Sequence, residues 1–388
     1  LQGIFLFTVI TDFSSKKAEI LWHGICLINK EKGGYFMSIK VIMCGLGAMG
    51  SGMARMIAEK QGIDIVAAID ASAEKKGKSL KDVLGINKYS EVIIRDDFEN
   101  TIMNTEADVV LLAIDSFLEK VYPYIEFILK SKKNCITIAE EMAYPYTINQ
   151  EISDKMNDIA KENDVTLLGT GVNPGFVLDT LVVVLSAACR KIEKIKAVRI
   201  NDLSPFGTTV MKTQGVGLSE KEFYEGLEDG SIVGHIGFKQ SIPLVAKALG
   251  ITIDDIEELR EPIISKTYRK TPYAEVKPGM VAGCRHIAYG KYKGEVLITM
   301  EHPQQVLPEL ENIKTGDYIE ILGDPKLSLS ILPETPGGIG TIALAVNMIP
   351  QVISASAGLK TMIDLPLPHG IENSFEDQVH YYNCQGVK

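Results

Sequence analysis

Residues 39–50 read Ile39-Lys40-Val41-Ile42-Met43-Cys44-Gly45-Leu46-Gly47-Ala48-Met49-Gly50. The β-branched, apolar opening predicts a buried strand, the glycines a tight turn, and the helix-favouring residues 51–60 a helix directly behind it. Each glycine of the G-x-G-x-x-G spacing has a physical reason: Gly45 permits the turn, Gly47 admits a pyrophosphate close to the backbone, and Gly50 lets helix close on strand. Phosphates then meet the helix N-terminus, where free N–H groups and the macrodipole favour negative charge. A second strand, 65–69, ends in Asp70, where a carboxylate meets the adenosine ribose hydroxyls. This context carries the reading; the plain alternative is a Gly-rich turn with Asp70 capping a helix. The expected dinucleotide site comprises Gly45, Leu46, Gly47, Ala48, Met49, Gly50 and Asp70, with Ala113 and Asp115 from a later strand end. NAD is expected and NADP stays open: Asp70 repels a 2′-phosphate, whereas Lys75, Lys76 and Lys78 either attract one or form a solvated basic face.

Outward from this unit, strands are expected at 92–94, 108–114, 135–138 and 165–168, separated by helix-length segments at 117–131 and 149–162. Such alternation predicts a parallel sheet with helices on both faces, whose ligands lie at the strands' carboxyl ends. Beyond residue 172 the pattern loosens into strands at 195–201, 279–290, 294–300 and 318–322, with helices at 221–227 and 238–249 and a long apolar helix at 341–359. The expected architecture is therefore α/β: a Rossmann-type domain over 37–172, an α+β substrate and dimerisation domain over 173–335, and a helical segment, 336–388, returning to the first domain.

The chain has 388 residues, 46% hydrophobic and 23% charged, with net charge −10, which excludes a disordered chain and a generally basic nucleic-acid surface. Its apolar runs fall short of the roughly 20 residues that cross a bilayer. Six scattered cysteines form no metal-ligand spacing and read as reduced thiols in the cytoplasm. Residues 1–36 lack signal-peptide features. Lys32-Gly33-Gly34 back-translates to a purine-rich, ribosome-binding-like run ahead of Met37, so the expectation is that translation starts at Met37 and that residues 1–36 are upstream sequence outside the fold.

Three motifs together, Gly45 to Met53, Gly169-Thr170-Gly171-Val172-Asn173-Pro174-Gly175-Phe176 and Pro336-Gly337-Gly338-Ile339-Gly340-Thr341, resemble the 2,4-diaminopentanoate dehydrogenase family. The nucleotide domain of that family is similar to dihydrodipicolinate reductase. The resemblance covers the chain from Met37 onward. It implies NAD- or NADP-dependent oxidative deamination of the C4 amine of (2R,4S)-2,4-diaminopentanoate to 2-amino-4-oxopentanoate and ammonia, by a homodimer joined through the second domain's sheet.

That chemistry needs a base, because hydride leaves carbon readily only when the nitrogen lone pair is free, and water must then attack the C=N bond. Glu141 and Glu140 stand at a strand's carboxyl end, where adjacent like charges raise one pKa. His235, in a Gly-flanked loop, is the first choice among the histidines, and Asp202 follows a strand where the similar reductase carries a histidine pair; here Asn201-Asp202 stands instead. Each also has a plain structural reading, as a cap or a solvated loop residue. For the substrate's carboxylate and remaining ammonium the candidates are Thr170, Asn173 and the amide of Gly175, with Thr208 and Lys212 as alternates. No metal site is expected. Competing readings are a reductase of another amino acid or cyclic imine, and a nucleotide sensor without catalysis.

Overall fold

A computed structural model describes residues 38–384, so the expectation for residues 1–36 and a start at Met37 lies outside the described residues. The first sheet contains β1 (Ile39–Cys44), β2 (Ile63–Ile69), β3 (Ile94–Arg95), β4 (Val109–Leu112), β5 (Asn134–Thr137) and β6 (Thr166–Gly169). Between them run α1 (Ala48–Glu59), α2 (Leu80–Leu84), α3 (Phe98–Asn104), α4 (Leu118–Lys130) and α5 (Gln150–Glu162). All pairings are parallel and the spatial order is β6-β5-β4-β1-β2-β3, which reverses between β1 and β4. Ligands of doubly wound sheets lie at such a reversal. Successive residues of β1 and β4 enter opposite cores: Val41, Met43 and Leu111 on one face, Ile42, Val110 and Leu112 on the other. Burial on both faces explains why these strands read as continuous apolar runs.

After α6 (Thr180–Ser186) the chain builds a second sheet. Its first strand is β7 (Lys191–Asp202), followed by α7 (Thr208–Thr213), α8 (Glu220–Asp229) and α9 (Phe238–Leu249). Then come β8 (Asp255–Ile264), the short pair β9 (Arg269–Lys270) and β10 (Glu275–Val276), β11 (Val281–Tyr292), β12 (Glu295–Gln305), β13 (Gly316–Asp324) and β14 (Leu327–Ile331). The six long strands lie in the order β14-β13-β7-β12-β11-β8, mixed because β7 and β12 run parallel while the other neighbours are antiparallel. Ile195, Ala197, Ile298, Met300, Ile319 and Ile321 cover the inner face and share a core with Phe238, Ile242 and Val245 of α9.

The expected single helix at 341–359 is instead α10 (Gly337–Asn347) and α11 (Ile349–Ser354), followed by β15 (Gly358–Lys360). Pro350 has no N–H to continue the helical ladder, which accounts for the break at Met348. β15 pairs in parallel with β6 and makes the first sheet seven-stranded, while α10 packs on α1. The chain ends its described part in α12 (Phe375–Cys384), packed on α11. The run 337–354 is long and apolar enough by composition to cross a membrane, but here Ile349 and Val352 are fully buried in the protein core.

Candidate active site

The glycine turn has the shape its spacing predicts. Gly45 sits at φ +88°, and a Cβ there would lie 2.3 Å from the Ala113 carbonyl oxygen. A Cβ on Gly50 would lie 1.8 Å from the Gly45 oxygen, so only glycine lets α1 close on β1. Around Gly47, by contrast, no described atom stands within 4 Å of a Cβ position, which leaves an open cradle over the turn. Among the described residues no side chain caps α1, so the first-turn amides of Ala48 and Met49 face that opening. These features fit a dinucleotide's pyrophosphate. Asp70 closes the far side: its Oδ2 accepts the Leu46 N–H at 2.7 Å and its Oδ1 the Ser72 N–H at 2.8 Å. Burial pushes the Asp70 carboxyl up, but the Ser72 and Leu46 amides with Lys75 outweigh it and hold it below its ordinary value.

At the ends of β4 and β5 three acids separate by environment. Asp115 accepts the Ser116 and Phe117 amides at 2.8 and 3.1 Å and pairs with Lys120 at 3.1 Å. Glu141 is fastened to α4, its Oε2 accepting the Leu118 N–H at 2.7 Å. Glu140 is different. Burial lifts its carboxyl above the ordinary range, a Ser116 hydrogen bond opposes this, and the Asp115 and Glu141 charges add to it. The two consecutive glutamates thus have distinct environments, one capping a helix and one held as a weaker acid.

The second sheet contributes residues that sequence reasoning weighed singly or passed over. Lys293 and Gly294 both have positive φ, giving a tight hairpin that sets His286 of β11 opposite His302 of β12. Both point to the inner face, and His235 joins them from the loop before α9. The His235 and His302 ring centroids are 4.7 Å apart, and the His235 N–H donates to His286 Nδ1 at 3.0 Å. Phe238 stacks edge-on against His235 and His286 at 4.8 and 4.9 Å. Desolvation holds all three rings neutral, lowering His235 to about 3, His286 to about 2 and His302 well below its ordinary value, with Arg199 or Arg260 adding to the effect. Asn173, before the cis Pro174, brings its Nδ2 to 3.4 Å from His302 Nδ1. Four inward polar atoms, Asn173 Oδ1, Asn201 Oδ1, His235 Nε2 and His302 Nε2, have no hydrogen-bond partner among the described residues. Two strand residues away from Asn201, Arg199 is 2% exposed, bonds Asp317 Oδ1 at 2.5 Å and donates to the Thr335 carbonyl at 2.6 Å. The Lys293-Gly294 turn marks the hairpin in sequence, but the 286–302 pairing also needs the irregularity between Gly290 and Lys291, which shifts the register by one residue.

The remaining sequence-selected residues have identifiable places. Asp202 Oδ1 accepts the Ser204 amide and hydroxyl and the Leu307 amide, locking the ends of β7 and β12. Thr170 is buried with its hydroxyl 3.1 Å from the Met362 sulfur. The Gly175 amide donates to Asp179 Oδ2 at 2.8 Å and is therefore engaged. Thr208 and Lys212 are exposed on α7. Of the five substrate-site candidates, Thr170, Asn173, Gly175, Thr208 and Lys212, Asn173 reaches the histidine cluster.

The three glycine-containing motifs converge. A Cβ on Gly338 would lie 3.2 Å from Met49 Cε and one on Gly340 2.9 Å from Val172 Cγ2, while the Val172 N–H donates to Thr341 Oγ1 at 3.2 Å. α9 links the halves, beginning beside His235 and packing on the 3₁₀ turn that carries Glu140. α9 thus connects the turn that carries Glu140 to the histidine cluster, and the Gly337–Thr341 motif connects the glycine turn to Val172.

Comparison with known proteins agrees with this geometry. Residues 39–139 match the family model described as dihydrodipicolinate reductase, N-terminus, and residues 176–381 that of the 2,4-diaminopentanoate dehydrogenase C-terminal domain. The chain is 45% identical over 343 residues to 2,4-diaminopentanoate dehydrogenase of Acetoanaerobium sticklandii, covering 88% of this chain and 97% of that protein. It is 21% identical over 349 residues to an amine dehydrogenase of Streptomyces virginiae, covering 85% and 96%. The solved amine dehydrogenase from Mycobacterium smegmatis superposes with a TM-score of 0.76 at 26% identity, over 86% of this chain and 98% of that one. With family models matched over 39–139 and 176–381 and nearly the full length of a curated relative covered, the chain belongs to the 2,4-diaminopentanoate dehydrogenase family.

Proposed function

We propose that the chain oxidatively deaminates the C4 amine of (2R,4S)-2,4-diaminopentanoate to 2-amino-4-oxopentanoate and ammonia, with NAD or NADP as acceptor. Family membership supports the reading, and one observation carries it to the site: four partnerless polar atoms buried at and beside the histidine cluster, on Asn173, Asn201, His235 and His302. Buried polar groups normally find partners, so a set left open calls for a polar ligand. The bound nicotinamide supplies a hydride acceptor.

Glu140 takes the proton of the C4 ammonium, which frees the nitrogen lone pair as hydride leaves C4. Glu140 releases that proton to solvent and, ionised again, accepts one from the water that attacks the C=N carbon. It returns this proton to the nitrogen of the resulting carbinolamine, whose C–N bond breaks to free ammonia as the new hydroxyl loses its proton to give the ketone. Burial raises its pKa above that of an ordinary carboxyl, which makes it a stronger base for both transfers. Asn173, Asn201, His235 and His302 bind the rest of the diamino acid, the neutral imidazoles donating or accepting as tautomers allow. Arg199, paired with Asp317 and bonded to the Thr335 carbonyl, holds β7 in place beside Asn201. Glu141, through α4, positions the turn that carries Glu140. Domain limits near residues 172 and 335 are part of this reading, supported by β6 ending at Gly169 and β14 at Ile331.

The partner assigned to the outer face of the second sheet is a second copy of the chain. Leu322 stands there 45% exposed beside Lys194, Lys196 and Glu320, and Leu259, on the edge strand β8, is 41% exposed. Light scattering on the eluting protein checks this, and a monomer contradicts it. The activity itself is tested by a panel of diamino acids and ring imines assayed with both nucleotides. Formation of reduced nicotinamide from the diamino acid is the expected result; turnover of ring imines only refutes the reading.

A further inference from the structure

We infer that Lys75 is the residue through which this chain accepts NADP as well as NAD, by leaving Asp70 to pair with the 2′-phosphate. The inference rests on the dinucleotide reading of the glycine turn.

Asp70 ends β2, where the adenosine ribose is read, and an uncompensated carboxylate there rejects a 2′-phosphate. This carboxylate is compensated. Lys75 Nζ donates to Asp70 Oδ2 at 3.0 Å and to the Leu46 carbonyl at 2.9 Å, across the edge of the cradle. Its side chain is 28% exposed against 10% for Asp70, so the cation covers the acid on the solvent side. The other lysines of the turn do not share this place: Lys76 pairs with Asp96 at 2.5 Å, and Lys78 is exposed at its end. Asp70 does not depend on Lys75 alone, because the Leu46 and Ser72 amides hold one oxygen each. The lysine can therefore turn away without leaving a bare buried charge. A long flexible stem and three donors suit that movement. With NAD bound, Lys75 stays on Asp70 and the carboxylate meets the ribose hydroxyls. With NADP bound, Lys75 meets the phosphate and removes the repulsion.

Affinities of the full chain for NADPH and NADH, read without substrate from the fluorescence of the bound reduced nicotinamide, test this. Lys75→Met is expected to weaken NADPH binding by about tenfold or more, as loss of a charge-assisted contact implies. NADH affinity is expected to change by less than about threefold, and Lys75→Arg to retain NADPH binding. Equal losses for both nucleotides make Lys75 a support of the glycine turn and overturn the inference, as does unchanged NADPH affinity. Lys75→Gln gives the same reading should the Met variant not fold. Failure of the unaltered chain to bind either nucleotide contradicts the proposed function rather than this inference.

Discussion

Glu141 accepts the Leu118 amide at 2.7 Å, and that one hydrogen bond separates two adjacent acids that are equivalent in sequence. A carboxylate held on a helix end is unavailable to a substrate, whereas Glu140, with its raised pKa, has the properties of a base. Glu140→Gln is expected to lower turnover by roughly 10²- to 10⁴-fold, the usual worth of a positioned general base, with nucleotide affinity retained. Glu141→Gln keeps an acceptor for Leu118 and is expected to keep most of its activity. Steady-state kinetics of both variants, beside nucleotide titration, give the comparison.

His286 acts on His235 through the backbone. Replacing it with Phe leaves the buried His235 N–H without an acceptor, at a cost of about 1–3 kcal/mol. The expected kinetic signature is a raised KM for the diamino acid with a smaller change in kcat. His286→Asn restores an acceptor and should recover part of the loss. Equal kinetics for the Phe and Asn variants contradict the assignment.

The same histidines set an acid limit to stability. Their folded pKa values lie below the unfolded value of 6.5, near 3 for His235 and 2 for His286, so between those limits the unfolded chain binds more protons. Stability is complete above about pH 6.5 and falls with acidification, by about 1.4 kcal/mol per pH unit for each such histidine. Denaturant unfolding at about pH 7.5 and about pH 5 should show the loss, and His302→Asn should reduce the slope.

Arg199 ties the Pro336-Gly337-Gly338 motif to the second sheet, bonding Asp317 and Thr335 while the Thr335 amide returns to Asp317 at 2.8 Å. Arg199→Met leaves Asp317 charged and buried, and the expected destabilisation is about 3–5 kcal/mol. Lysine should not substitute, because it lacks the planar fork that reaches both partners. Thermal unfolding of the two variants is the measurement.

The nucleotide half was readable in sequence because each buried parallel strand is an apolar run followed by a helix of its own period. β8 was missed for the opposite reason. Its Glu257, Glu258, Arg260 and Glu261 give it a helical composition, but each meets an opposite charge or a polar partner in the sheet: Glu257 with Lys291, Glu261 with Arg285, Glu258 with His286 and Arg260. β15 was hidden at the end of an apolar run that Pro350 divides. At the site, the acids at the end of β5 were legible from position alone, and the choice between them depended on an amide 23 residues away. The histidine cluster needed three segments to meet, and one-dimensional periodicity carries no such information.

In the proposed reaction hydride leaves C4 of the diamino acid as its C4 nitrogen is lost. 2,4-Diaminopentanoate deuterated at C4, incubated with the full chain and oxidised nucleotide, tests it by mass analysis of the reduced nicotinamide together with an ammonia count. Label in the nicotinamide, matched one-to-one by ammonia, is the expected result. Reduced nicotinamide without label, or label transferred without ammonia, contradicts it.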